Sequence, residues 1–256
     1  MMRRAAVPMV VAGLVALLGV PTLAQAEGTT CGFPTVIVPD GRIVQSFIPN
    51  GSTYYWLFDS TSGNSYSMET KLLTAAWGNN LTVAYYDTSS SSCTTPITVN
   101  DTTGLNPQIP QTGERASRTS TSTRHWFTVT NSTGSGQTYT VSVSDTTMYS
   151  PAWSTNGTYN TYYSFFNTTN GTVNVTVTLT QTDGTAAGTN AVAVASGRTA
   201  ATNTVALGTI RNKTGTATVS HDGPPGAILV EADIANFTLS PPYIQPVKFQ
   251  SARELR

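Results

Sequence analysis

Charge is the scarcest property of this chain: Asp, Glu, Lys and Arg together make up 10% of its 256 residues, against roughly 25% in ordinary soluble proteins. The 13 basic and 13 acidic residues cancel, so the sequence carries no basic footprint of a nucleic-acid binder. Helical periodicity is almost absent, which excludes the all-α and α/β classes. Only one long apolar run occurs, from Ala5 to Val20. The motifs that announce catalysis are also missing: there is no G-x-S-x-G elbow, H-E-x-x-H pair, S-x-x-K pair or phosphate-cradling glycine loop. With two histidines in all, any catalytic triad must use His125 or His221.

The apolar run belongs to a secretion signal. Arg3 and Arg4 give a basic start, Ala5 to Val20 the hydrophobic segment, and Ala24-Gln25-Ala26 the small-x-small pattern that signal peptidase accepts. Cleavage is expected after Ala26, leaving about 230 residues with a net charge near −2 and no retained membrane span. Gly28-Thr29-Thr30 before Cys31 does not form a lipidation motif. The mature chain is therefore expected outside the cytoplasm, secreted or periplasmic. In that oxidising setting Cys31 and Cys93 are expected to form a disulfide, which closes a loop worth ~4 kcal/mol in the chain-entropy model. A zinc site from Cys31, Cys93, His125 and His221 is disfavoured, because no two of these residues stand at ligand spacing.

Threonine fills nearly one position in five. A β-branched hydroxyl residue suits the outer face of a strand, where the methyl packs and the hydroxyl meets water. Alternation follows at Leu81, Val83 and Tyr85, at Tyr139, Val141 and Val143, and at Val173, Val175, Val177 and Leu179. Further strands are expected over 43–48, 54–59, 66–73, 124–129, 159–166, 191–194, 216–220 and 226–234, separated by Gly, Asn, Asp and Pro clusters. The expected fold is all-β: two antiparallel β-sandwiches, jelly-roll or immunoglobulin-like. The expected division is a signal at 1–26, a first domain at 27–148, a second at 149–249 and a polar tail at 250–256. The boundary is placed at Met148 to Trp153, where alternation stops and Pro151 intervenes. Thr102 to Thr123, without alternation, reads as a long loop.

The runs Ser52-Thr53-Tyr54-Tyr55-Trp56-Leu57-Phe58, Gly63-Asn64-Ser65-Tyr66-Ser67-Met68-Glu69, Leu81-Thr82-Val83-Ala84-Tyr85-Tyr86-Asp87 and Gln137-Thr138-Tyr139-Thr140-Val141-Ser142-Val143 resemble the bacterial pre-peptidase C-terminal type of β-sandwich. That resemblance covers the first domain and implies an accessory, non-catalytic binding or stabilising module. The second domain, with its His221-to-Ala227 turn leading into a strand, is immunoglobulin-like by pattern and carries no family signature.

Candidate functional residues compete with structural roles. His125, in Arg124-His125-Trp126-Phe127, is a strand residue. His221 beside Asp222 in a turn is the better catalytic candidate, although an Asp there also serves turn formation. Paired carboxylates could support glycoside hydrolysis. Asp59, Glu69 and Asp87 fall in the first domain, while Glu231 and Asp233 share one strand face about 7 Å apart. Glu231 and Asp233 equally suit a solvated face opposite Ile228, Val230, Ala232 and Ile234, and with turn carbonyls they could hold calcium, although no EF-hand loop is present. No other cofactor is indicated.

Loop aromatics offer a binding reading. Trp77 in a turn-like Ala-Trp-Gly-Asn-Asn context, Trp153 at the boundary, and Tyr243 after two prolines could stack on sugar faces or bury a partner's apolar surface. Trp77 and Trp153 also suit a cap on the first core and a plug between domains. Ten N-x-S/T sequons occur, as expected by chance in so threonine-rich a chain, and they mark glycosylation only in a host that glycosylates. The sequence therefore favours a secreted, non-catalytic binding or structural protein whose partner is an extracellular glycan or protein. A carbohydrate-binding or adhesive module and a small secreted hydrolase are the rivals.

Overall fold

The computed structural model describes residues 28–73, 81–86, 93, 98–100, 115–208 and 211–251. The signal segment and Trp77 lie outside them. Among the described residues every regular element is a strand. One sheet runs β1-β3-β8-β5-β6, built from β1 (Thr35–Val36), β3 (Thr53–Asp59), β5 (Leu81–Tyr86), β6 (Thr98–Asn100) and β8 (Arg124–Asn131). A second runs β2-β9-β4-β7, from β2 (Val44–Ile48), β4 (Ser65–Leu72), β7 (Arg115–Thr119) and β9 (Gln137–Asp145). The third, β13-β12-β15-β10-β18, comprises β10 (Met148–Ser154), β12 (Val173–Gln181), β13 (Ala186–Val194), β15 (Thr214–His221) and β18 (Gln250–Ser251). The fourth, β14-β11-β16-β17, comprises β11 (Asn160–Asn167), β14 (Thr199–Asn203), β16 (Ile228–Asn236) and β17 (Tyr243–Val247). Among the described residues all strand pairings are antiparallel except β1 with β3.

Two separate hydrophobic cores follow from this pairing. Trp56, Phe58, Val83, Tyr85, Phe127 and Val129 from the first sheet meet Ile48, Tyr66, Met68, Tyr139, Val141 and Val143 from the second. Val175, Val177, Leu179, Ala217, Val219 and Trp153 from the third meet Tyr163, Phe165, Ile228 and Ala232 from the fourth. In β9, β11 and β12 the buried residues are alternate ones, so a register slip of one residue would expose a whole row. Cys31 and Cys93 are disulfide-bonded with Cα atoms 5.8 Å apart, and the zinc alternative falls with that bond.

Three sequence expectations change. The segment at Met148 to Trp153 is no linker, because β10 pairs with both β15 and β18 inside the third sheet. Pro151 hides the pattern: the register shifts between Ser150 and Trp153, and a bulge accommodates a residue that cannot donate to the ladder. The loop expected over 102–123 loses residues 115–119 to β7, which pairs with β4, while 120–123 remain a turn into β8; residues 101–114 lie outside the described residues. The tail begins as a strand, since Tyr149 pairs with Gln250 and Met148 with Ser251.

Threonine's abundance has a second structural use besides outward strand faces. At four turns an Asx oxygen accepts both the backbone N–H and the hydroxyl of the threonine two residues later: Asn131 with Thr133, Asn167 with Thr169, Asp183 with Thr185 and Asn236 with Thr238. Each is an Asx turn reinforced by a side-chain donor. At Asp183 those two bonds hold the carboxyl below its ordinary pKa. Asn131 and Asn167 go further and spend both amide protons, on Ile48 and Ser135 in one case and on Val194 and Gly171 in the other, at 2.7–3.0 Å.

Candidate functional site

The most enzyme-like arrangement sits in the first core. His125 at the start of β8 is fully buried, with Nε2 2.6 Å from the Ser120 hydroxyl and Nδ1 2.6 Å from the Tyr85 hydroxyl. A nucleophilic serine must give its proton to the imidazole. Here the Ser120 hydroxyl donates instead to the carbonyl of Ser122 at 2.6 Å, and a carbonyl can only accept. Ser120 therefore accepts from Nε2–H, leaving Nδ1 to accept from Tyr85. Ser120 and Tyr85 are themselves buried. The three groups form a chain that satisfies buried polar atoms.

His221 is also buried, at the end of β15 where it continues the inward row of Ala217 and Val219. Burial lowers its pKa to about 4, and the Arg115 guanidinium pushes the same way. The carboxylate of neighbouring Asp222 opposes these effects, but its oxygens take the backbone N–H and side-chain amide of Asn174 at 2.8 and 2.7 Å, and so brace the turn. His221 and Asp222 are thus not assembled as a base and its orienting acid.

The aromatic candidates separate as well. Trp153 is 1% exposed and its indole N–H donates to the Thr180 carbonyl at 3.1 Å. It packs in the second core, offers no face to a ligand, and does not fill a gap between domains. Tyr243 remains 44% exposed on β17, with its ring edge against Tyr159.

Among the carboxylates, Asp59 on β3 is ion-paired with Arg124 at 3.0 Å, Glu69 accepts from the Ser67 hydroxyl on the other sheet, and Asp87 lies outside the described residues. Glu231 and Asp233 stand together on the outer face of the fourth sheet. Register places three rows across that face: Asn203, Tyr162 and Asp233; Ala201, Ser164 and Glu231; Thr199, Phe166 and Leu229. Tyr162, Ser164, Thr202, Asn203, Glu231 and Asp233 line a shallow depression of about 230 Å³. The Tyr162 ring is braced edge-on by Phe237, 5.5 Å away. Phe166 and Leu229 stand exposed at one end. Neither carboxylate has an ion-pair partner among the described residues.

Sequence reading found the two carboxylates but not Tyr162 or Phe166. β11 reads Asn-Thr-Tyr-Tyr-Ser-Phe-Phe-Asn, with aromatics on both faces, so polar alternation barely marks the outward side. The usable signal was Ser164 alone.

Among the described residues, no three His, Cys, Asp or Glu side chains gather where a metal ion could sit. Glu231 and Asp233 are therefore not joined by a third such ligand for calcium. No described helix is long and apolar enough to cross a membrane. Three of the sequon asparagines, Asn131, Asn167 and Asn236, are buried in the turns described above.

No family model matches the sequence, and no curated protein matches it. Among solved structures, the chain is similar to the pre-peptidase C-terminal domain of a collagenase from Bacillus anthracis, at 14% identity and a TM-score of 0.33 over 43% of this chain and 92% of that one. This is the type of sandwich that the first-domain runs resemble. The chain is also similar to the full extracellular region of zebrafish Gpr126/Adgrg6, at 9% identity and a TM-score of 0.27, over 90% of this chain and 32% of the other. A third similarity is to a β-glucuronidase from glycoside hydrolase family 2, at 10% identity and a TM-score of 0.20 over 88% and 25%. The chain thus spans a third or less of the length of the last two.

Proposed function

We propose that this protein is a non-catalytic binding or structural component acting outside the cytoplasm, and that its contact surface is the outer face of the fourth sheet. The observation that carries this reading is the set of outward groups there, Tyr162, Phe166, Leu229, Glu231 and Asp233, against a background in which the histidines serve packing and turns. A disulfide between Cys31 and Cys93 suits an oxidising compartment.

Within that reading, an extracellular glycan is the favoured ligand over a protein, because the braced Tyr162 ring lies beside the Asp233 carboxylate, with Glu231 in the next row, and a sugar offers one apolar face and a rim of hydroxyl donors. The test is capture on a panel of insoluble polysaccharides. Tyr162→Ala should weaken retention by roughly 1–3 kcal/mol with the melting temperature nearly unchanged. Sustained turnover of a glycoside or ester substrate, abolished by Glu231→Gln in a folded variant, would overturn the non-catalytic reading.

A further inference from the structure

The two sandwiches are joined by Thr146 and Thr147 alone, both buried, yet several side chains lock the junction. Tyr149 donates to the Asn64 carbonyl oxygen at 2.6 Å, and the Asn64 amide donates to Asp145 at 2.7 Å. The turn that follows β15 is held more directly. The Thr146 hydroxyl is shared between the Ser65 carbonyl at 3.1 Å and the His221 carbonyl at 3.3 Å, the Ser117 hydroxyl donates to the Asp222 carbonyl at 2.8 Å, and the Arg115 guanidinium donates to that same carbonyl. Two donors of the first sandwich and one of the connection thus grip two consecutive carbonyls of the second. The side chain of the first gripped residue is the buried His221 imidazole, whose Nδ1 has no hydrogen-bond partner.

A neutral imidazole fits this site because a bare ring nitrogen needs no acceptor. An imidazolium does not. Burial is what opposes it: the Asp222 carboxylate and the Gly223 backbone favour the charged ring and the Arg115 guanidinium disfavours it, but loss of hydration outweighs them. Arg115 on β7 is the cation that faces it, with Glu69 opposite Arg115 across the β4–β7 pair. Asp222 is the nearest anion, and Asn174 of β12 already occupies both its oxygens. Asp145, before the connection, is taken by Asn64 and the Thr147 N–H. β12 otherwise brings Val175 opposite the histidine. The direct relief for a protonated ring is to lift the turn into water, and that movement withdraws both gripped carbonyls from Arg115, Ser117 and Thr146.

We propose that the His221–Gly223 turn is an acid-released latch: protonation of His221 lifts the turn, breaks the first sandwich's grip on it and lets the two sandwiches part. The ring's low basicity in the closed form, about pKa 4 against an ordinary 6.5, fixes the range. Above pH 6.5 the latch is closed. Between pH 6.5 and 4 each step of acidification favours the open form, and at pH 5 the closed-to-open ratio falls about 30-fold.

Small-angle scattering of the full chain from pH 7 to 4, with far-UV circular dichroism on the same samples, tests this. The expected result is an increase in radius of gyration in that window with the strand signal unchanged, and no increase in His221→Leu. A direct proton titration of the His221 ring by NMR in the unaltered protein serves if the variant does not fold, and its titration should track the change in radius. The latch is overturned if the protein stays compact to pH 4, if His221→Leu expands at the same pH, if expansion and ring titration do not coincide, or if strand signal is lost together with compactness.

Discussion

The two sandwiches reach the same architecture with different cores. The first is aromatic, built on Trp56, Phe58, Tyr66, Tyr85, Phe127 and Tyr139, and it encloses the Ser120–His125–Tyr85 chain. It also carries the Cys31–Cys93 clamp. The second is made largely of Val and Ala around Trp153, Tyr163 and Phe165, without a covalent tie. Large rings leave polar atoms to satisfy and gaps to fill, which the first core meets with a hydrogen-bonded histidine. Small β-branched residues let sheets and loops approach closely, and the second core depends on that closeness. At Gly215 a β-carbon would overlap the Thr180 carbonyl of the neighbouring strand. What both share is the asparagine lock at a strand's last residue, Asn131 of β8 and Asn167 of β11. Local turn chemistry is common to the two, and only the means of filling the interior differs.

The sharpest way to break this comparison is at Trp153. Trp153→Ala should cost the second sandwich ~3–5 kcal/mol in denaturant unfolding, while binding by the folded fraction is unaffected; an unchanged midpoint would remove Trp153 from the core. Reduction of the disulfide, or Cys31→Ser with Cys93→Ser, should cost the first sandwich up to ~4 kcal/mol and leave the second untouched. Equal losses in both would mean that the clamp does not act locally.

Acid should reverse the asymmetry. His221 has a folded pKa of about 4, below its unfolded 6.5, so the unfolded state binds more protons between those values. The stability this histidine supplies is complete above pH 6.5 and is lost as pH falls towards 4, by about 3 kcal/mol at most. His221→Leu should flatten that slope in urea titrations, whereas a slope that survives the substitution assigns the acid sensitivity elsewhere. The smallest expected effect tests the shared feature: Asn131→Asp and Asn167→Asp each lose two amide donors to carbonyls and should cost ~1–3 kcal/mol, to similar extents. A large inequality between them would show that the locks are not equivalent.

Residue pattern alone was enough for the all-β class, for most of the long strands, and for the pairing of the only two cysteines. These follow from alternation and compartment, which are local or compositional properties. Strands that break alternation escaped: β10 and β17 each contain a proline, at Pro151 and Pro246, and β14 is a short run of small residues. Their membership in sheets is decided by neighbours that sequence distance hides. The same holds for function. The sequence supplied the carboxylates Glu231 and Asp233, but only strand register sets them beside Tyr162 from β11 and Asn203 from β14. The sequence left Trp153 open as a contact, and only the bulge at Pro151 turns its ring into the core. Hydrophobic periodicity declares which residues a strand would bury, whereas the identity of the strand on the other side is fixed by the packing of the whole chain.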